Sequence, residues 1–93
     1  MKKKTRRTKM KIYGDLLSIL NAEKRSTDKI VLIHVQAKMN VPFDRLKNYI
    51  SDLEDLNLIE DQSSYNLTKK GKRYLYEYQK ILDFMERMGI ANR

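Results

Sequence analysis

The stretch "LNLIEDQSSYNLTKKGKRYL" (56–75) carries the punctuation that decides the fold. Leu58 and Ile59 precede a polar knot from Glu60 to Ser64, after which Tyr65 and Leu67 alternate with polar neighbours. Alternation marks a half-buried strand, and Gln62, Ser63 and Ser64 make a loop of hairpin length, although no glycine stands there to take a left-handed conformation. The expectation is two short strands, 58–61 and 65–67, closed by that loop. Thr68 then caps a helix, with Lys69 and Lys70 at its start and Gly71 inside its first turn. A two-stranded hairpin is marginal alone, so it must lean on helices to either side.

Upstream, "NVP" (40–42) is the one proline-marked break, and proline is at home where a helix begins. Beyond it Phe43, Leu46, Ile50 and Leu53 step by three or four, with Tyr49 and Leu56 widening the stripe, which predicts an amphipathic helix ending near Asn57. Before the break lies "STDKIVLIHVQAKMN" (26–40), whose apolar run suits a buried strand as well as a buried helix. Ile30, Ile33, His34 and Ala37 would share one helical face, and Ser26, Thr27 and Asp28 are good caps, which favours helix. Further back Tyr13, Leu16, Leu17 and Leu20 repeat at helical spacing over 10–23. Two helices separated by about three residues have the spacing of a helix-turn-helix.

Downstream of Thr68, the apolar face Tyr74, Tyr78, Ile81, Leu82, Met85 and Met88 runs to a stop at Gly89. Tyr78, Ile81, Met85 and Met88 alternate steps of three and four, as a short coiled-coil seam does. A seam under two heptads long fits pairing between chains or folding back onto the first helix. The expected fold is mainly α, an α+β winged helix. It comprises a basic tail (1–9), a three-helix helix-turn-helix core with a two-stranded wing (10–71), and a long C-terminal helix (68–89).

The run "MNVPFDRLKNYISDLEDLNLIEDQSSYNLTKKGKRYLYEYQKI" (39–81) resembles the small archaeal winged-helix DNA-binding proteins of the 10a family. Leu46, Tyr49, Ile50 and Leu53 match the family's recognition-helix pattern, and Tyr65, Leu67, Thr68 and Gly71 match the close of its wing. With a weaker match over 12–38, the resemblance covers most of the chain. It implies binding of double-stranded DNA and an antiparallel homodimer through the last helix. Pro42 departs from the small polar cap, often serine, that the family offers there, so a phosphate contact by that cap does not carry over.

Charge is distributed unevenly. Of 20 Lys and Arg residues in the 93-residue chain, seven lie in 1–11 (Lys2, Lys3, Lys4, Arg6, Arg7, Lys9, Lys11), which leaves 13 against all 12 acids elsewhere. A basic block of this kind attracts polyanions, most often nucleic acid, and its blander reading is a solubility tail. There is no cysteine, which suits a reducing cytoplasm, here beside the nucleoid, and no apolar run approaches membrane-spanning length.

Catalysis lacks ingredients. His34 is the only histidine and its neighbours are apolar, so it reads as a half-buried core residue rather than a metal ligand. No catalytic, metal or cofactor residues are expected, and no small-molecule substrate. DNA contacts are expected from several places. On the third helix Arg45, Lys47, Asn48 and Ser51 could read bases, although 44–55 carries two bases against four acids. Thr27 and Lys29, at the start of the second helix, suit a phosphate. Gln62, Ser63 and Ser64 form the wing tip, and Lys69, Lys70, Lys72 and Arg73 lie just behind it. The tail (Lys2, Lys3, Lys4, Arg6, Arg7, Lys9) would add affinity with little sequence preference. The alternatives are a winged-helix protein–protein interaction module, which the acidic third helix suits, and an RNA-binding protein, for which only Tyr65 and Tyr76 offer stacking groups.

Overall fold

The computed structural model describes residues 8–27 and 29–90, which contain four helices: α1 (Lys9–Thr27), α2 (Leu32–Met39), α3 (Phe43–Asp55) and α4 (Lys69–Arg87). Thr8 begins α1, its hydroxyl oxygen accepting the Lys11 N–H at 3.2 Å. Lys9, expected in the tail, is therefore helical. The helix runs past Glu23 because 21–26 holds no proline or glycine, and Ala22, Glu23, Lys24 and Arg25 are good helix formers.

This extension corrects the expected start of α2. Ser26 and Thr27 finish α1 instead of capping α2, which begins at Leu32 behind Val31 with no side-chain cap. The Thr27 hydroxyl lies 2.6 Å from the Lys29 carbonyl and 3.0 Å from that of Glu23, and so closes the end of α1 on itself. The phase of α2 is also different from the expected one. Val35 and Met39 are buried, whereas Ile33 is 60% exposed and His34 and Ala37 face solvent. "IVLIHV" is apolar on every side and cannot fix its own rotation. The buried pair at i and i+4, one face of a helix, fixes it.

α2 and α3 are joined by a tight turn. Asn40 ends α2 in the left-handed region (φ 58°), its N–H donating to the Gln36 carbonyl at 2.8 Å. The Gln36 side-chain amide donates to the Val41 carbonyl at 3.1 Å. Val41 packs on the core just before Pro42, whose carbonyl accepts the Leu46 N–H at 3.0 Å. Along α3, Leu46, Ile50 and Leu53 are buried as their spacing predicts. The helix ends in a Schellman motif: Asn57 (φ 63°) donates to the Glu54 carbonyl at 2.9 Å, and Leu58 to the Leu53 carbonyl at 2.8 Å.

The wing is smaller than expected. Among the described residues there is no extended strand, only one antiparallel bridge between Ile59 and Leu67. Its two hydrogen bonds run from the Glu60 N–H to the Asn66 carbonyl (2.8 Å) and from the Thr68 N–H to the Leu58 carbonyl (3.1 Å). Leu58 and Ile59 are both buried, which breaks the in-out alternation a longer strand requires. Tyr65 takes the left-handed position that no glycine supplies (φ 58°), and pairing stops there.

α4 is locked to this corner. The Thr68 hydroxyl accepts the Gly71 N–H at 3.0 Å and donates to the Asn57 carbonyl at 2.7 Å. A Cβ on Gly71 would stand 2.0 Å from the Leu58 carbonyl oxygen, so only glycine lets the helix approach this closely. α1 lies at the centre, touching both α2 and α4. The buried Glu23 carboxylate of α1 is held by the Lys38 ammonium of α2. On the other side the Tyr78 ring lies against Gly14, and its hydroxyl donates to Asp15 at 2.9 Å, while the Tyr74 hydroxyl donates to the Met10 carbonyl at 2.7 Å.

Candidate nucleic-acid interface

The core stripe of α3 leaves its opposite face outward. Asp44, Arg45, Lys47 and Asn48 are exposed on the first two turns, and Ser51 is half-buried one turn on. The acids of the second half are largely engaged by the body. Asp52 accepts the Tyr13 hydroxyl at 2.8 Å, and Glu54 accepts the Gln62 side-chain amide at 2.7 Å. Burial, reinforced by that hydrogen bond to the Asp52 carboxylate, pushes the Tyr13 phenol up to about 12. Charge along 44–55 is therefore sorted: Arg45, Lys47 and Asn48 gather with Asp44 in the exposed N-terminal half, and two of the four carboxylates are hydrogen-bonded to Tyr13 and Gln62.

Phe43 opens this face. It is 39% exposed at the first position of α3, with the Lys47 ammonium 5.8 Å from its ring centroid. Read as the first member of the core stripe, it is instead a rim residue, because the stripe is deeply buried only from Leu46 onward. Its place directly after Pro42 was the available signal.

The wing tip is an Asx turn. The Asp61 carboxylate accepts the backbone N–H groups of Ser63 (2.9 Å) and Ser64 (2.8 Å) and the Ser63 hydroxyl (2.8 Å). The Ser64 and Ser63 hydrogen bonds favour the charged form and hold the carboxyl at about 2. Of the tip residues expected at DNA, Ser63 and Gln62 remain exposed but each has an internal bond, and Ser64 is half-buried. Tyr65 packs against the core, and burial raises its phenol pKa.

The basic group behind the wing divides. Lys70 donates to the Leu56 carbonyl at 2.7 Å, covering the C-terminus of α3, and Arg73 pairs with Glu77 at 2.9 Å. Lys69 and Lys72 are exposed on the same helix start. Thr27 and Lys29 sit at the end of α1 and beyond it, not at the start of α2. Lys2, Lys3, Lys4, Arg6 and Arg7 lie outside the described residues, as does Asp28.

A helix, a tight turn, a second helix with a polar outer face and a bridged hairpin leading to a further helix form one recognisable unit. A family model described as winged helix-turn-helix matches residues 6–86. The chain belongs to the winged helix-turn-helix family. No curated protein and no solved structure matches it. Within this winged helix, α2 and α3 form the helix-turn-helix, and 58–67 is the bridged segment that leads to α4. No helix among the described residues is long and apolar enough to cross a membrane, and no group of three or more His, Cys, Asp or Glu among them could hold a metal ion.

The residues expected at a dimer seam are split by the structure. The Tyr78 ring and hydroxyl and the Tyr74 hydroxyl are engaged by α1. Leu82 and Met85 are half-buried, and Ile81 and Met88 are exposed, with Phe84 and Ile90 exposed beside them. The folding-back reading thus accounts for the first half of α4 and leaves an outward apolar stripe on the second.

Proposed function

We propose that this winged helix binds double-stranded DNA as a homodimer, inserting the first two turns of α3 into the major groove, and acts as a transcriptional regulator or a chromatin-associated architectural protein. The observation that carries the reading is the sorting of charge along α3. Arg45, Lys47 and Asn48 stand outward at the end that reaches base edges in helix-turn-helix docking, while Asp52 and Glu54 are bonded to Tyr13 and Gln62. Arg45 suits guanine and Asn48 suits adenine. Lys69 and Lys72, together with the basic N-terminal residues, supply phosphate contacts. Each neutralised phosphate steepens the salt dependence by about 0.9 in log K.

The exposed Ile81, Phe84 and Met88 support pairing through the distal half of α4, and the resemblance to the archaeal 10a proteins supports an antiparallel arrangement. A two-fold dimer would present its recognition helices to half-sites about 34 Å apart or a multiple of that. The RNA-binding alternative loses ground because Tyr65 is half-buried, leaving Tyr76 alone of the two candidate stacking groups exposed. The interaction-module alternative draws support from the outward Val31 and Ile33.

The test is anisotropy of a labelled duplex at low and moderate salt, with wild type, Arg45→Ala and Asn48→Ala. The reading expects salt-sensitive duplex binding, with each substitution costing about 1–3 kcal/mol at its preferred base. Absence of duplex binding at low salt overturns it and favours the interaction module. Sedimentation of Ile81→Lys/Met85→Lys tests the dimer. A wild type that sediments as a folded monomer refutes it.

A further inference from the structure

We propose that Phe43 is a specificity residue that reads the methyl group of a thymine in the major groove. The inference rests on the placement of α3 in that groove and adds a contact that its polar residues cannot make. Thymine's methyl is the apolar feature of the major-groove code, and it is met by apolar side chains, phenylalanine among them.

Phe43 occupies the first position of α3, the end that goes deepest in this docking mode. Pro42 precedes it with φ −60°, which holds the backbone leading into that ring. The core does not require the exposed part of the ring, since Leu46, Ile50 and Leu53 already fill the stripe. Tyr49, the other aromatic residue of α3, is half-buried and packs on the core. The Lys47 ammonium stands 5.8 Å from the Phe43 centroid, so a base-edge or phosphate contact by Lys47 and a methyl contact by the ring fall on the same part of the helix. An apolar ring flanked by Arg45, Lys47 and Asn48 gives this face a means of distinguishing thymine from cytosine that charge alone lacks.

Replacing every thymine of an A·T-containing duplex by deoxyuridine removes only methyl groups, and anisotropy then reads the effect for wild type, Phe43→Ala and Phe43→Leu. The wild type should bind the uracil duplex about fourfold more weakly for each methyl buried. Phe43→Ala should bind the thymine duplex more weakly by a similar factor and no longer distinguish the two duplexes, while Phe43→Leu keeps part of the preference. The wild-type comparison needs no variant, and circular dichroism establishes that each variant is folded. Equal wild-type affinity for the two duplexes overturns the proposal, as does a Phe43→Ala variant that discriminates as strongly as wild type. A wild type that binds neither duplex at low salt overturns the groove placement of α3 itself.

Discussion

Gly71→Ala should destabilise the protein, although helix propensity taken alone says the opposite. In an exposed helix interior the change favours the folded state by about 1 kcal/mol. Here the added Cβ would lie 2.0 Å from the Leu58 carbonyl oxygen, well inside contact distance, and that neighbour is backbone. The same carbonyl accepts the Thr68 N–H in the wing bridge. Relief therefore requires α4 to lift from the corner or the bridge to open. Overpacking of this kind costs about 1–3 kcal/mol, and a disrupted hydrogen bond about 0.5–1.5 kcal/mol more. After subtracting the propensity gain, a net loss of about 0.5–3.5 kcal/mol remains. In a domain of this size each kcal/mol lowers Tm by about 4–8 °C. Thermal and urea unfolding followed by circular dichroism measure it. An unchanged or raised Tm would refute the close approach of α4 to Leu58 and the account of why this turn carries glycine.

Three further outcomes follow from the same geometry. Lys38→Met strips the buried Glu23 carboxylate of its partner and should cost about 1–2 kcal/mol, whereas Glu23→Met/Lys38→Met should recover most of it, because no uncompensated charge is left. A double variant less stable than Lys38→Met would contradict this. Because the Tyr13 phenol is raised to about 12, its neutral form favours folding: the contribution is complete below pH 10 and is lost as pH climbs toward 12. Absorbance titration of the tyrosines should show a late-titrating group that Asp52→Asn brings part of the way down. The depressed Asp61 works in the opposite sense, its contribution present above about pH 4 and lost as pH falls toward 2. Urea midpoints should therefore fall more steeply over that window in wild type than in Asp61→Asn.

What the sequence revealed depended on how local the cause was. The Thr68 cap was legible because an N-cap acts within four residues, whereas the reason for Gly71 lies in the Leu58 carbonyl outside the helix. The core face of α3 was legible because Leu46, Ile50 and Leu53 stand against strongly polar neighbours. "IVLIHV" gave no phase for α2, since an all-apolar turn packs equally well in any rotation until Val35 and Met39 meet the core. Ser26 and Thr27 misled because the residues that cap a helix also end one. The apolar face of α4 could be seen, but not what it meets. Gly14 held that answer: it leaves room on α1 for the Tyr78 ring, a pairing across 64 residues that periodicity within one helix cannot register. The short wing follows from the consecutive burial of Leu58 and Ile59, and a pattern-based reading counts such a pair as a strand. At the candidate interface the outward Asp44, Asn48 and Asp55 followed directly from the stripe of α3, whereas Ser51, expected beside them, is half-buried. The bonds that occupy Asp52, Glu54 and Lys70 depend on tertiary contacts and could not.

The central claim is that the N-terminal half of α3 enters duplex DNA. Amide chemical-shift mapping of the 15N-labelled protein, titrated with a mixed-sequence duplex at low salt, tests it most directly. The account predicts the largest perturbations over 43–51, smaller ones at 62–64 and 69–73, and little change along the buried face of α1. Perturbations confined to the distal half of α4 or to the outward face of α2, with 43–51 unmoved, would contradict it.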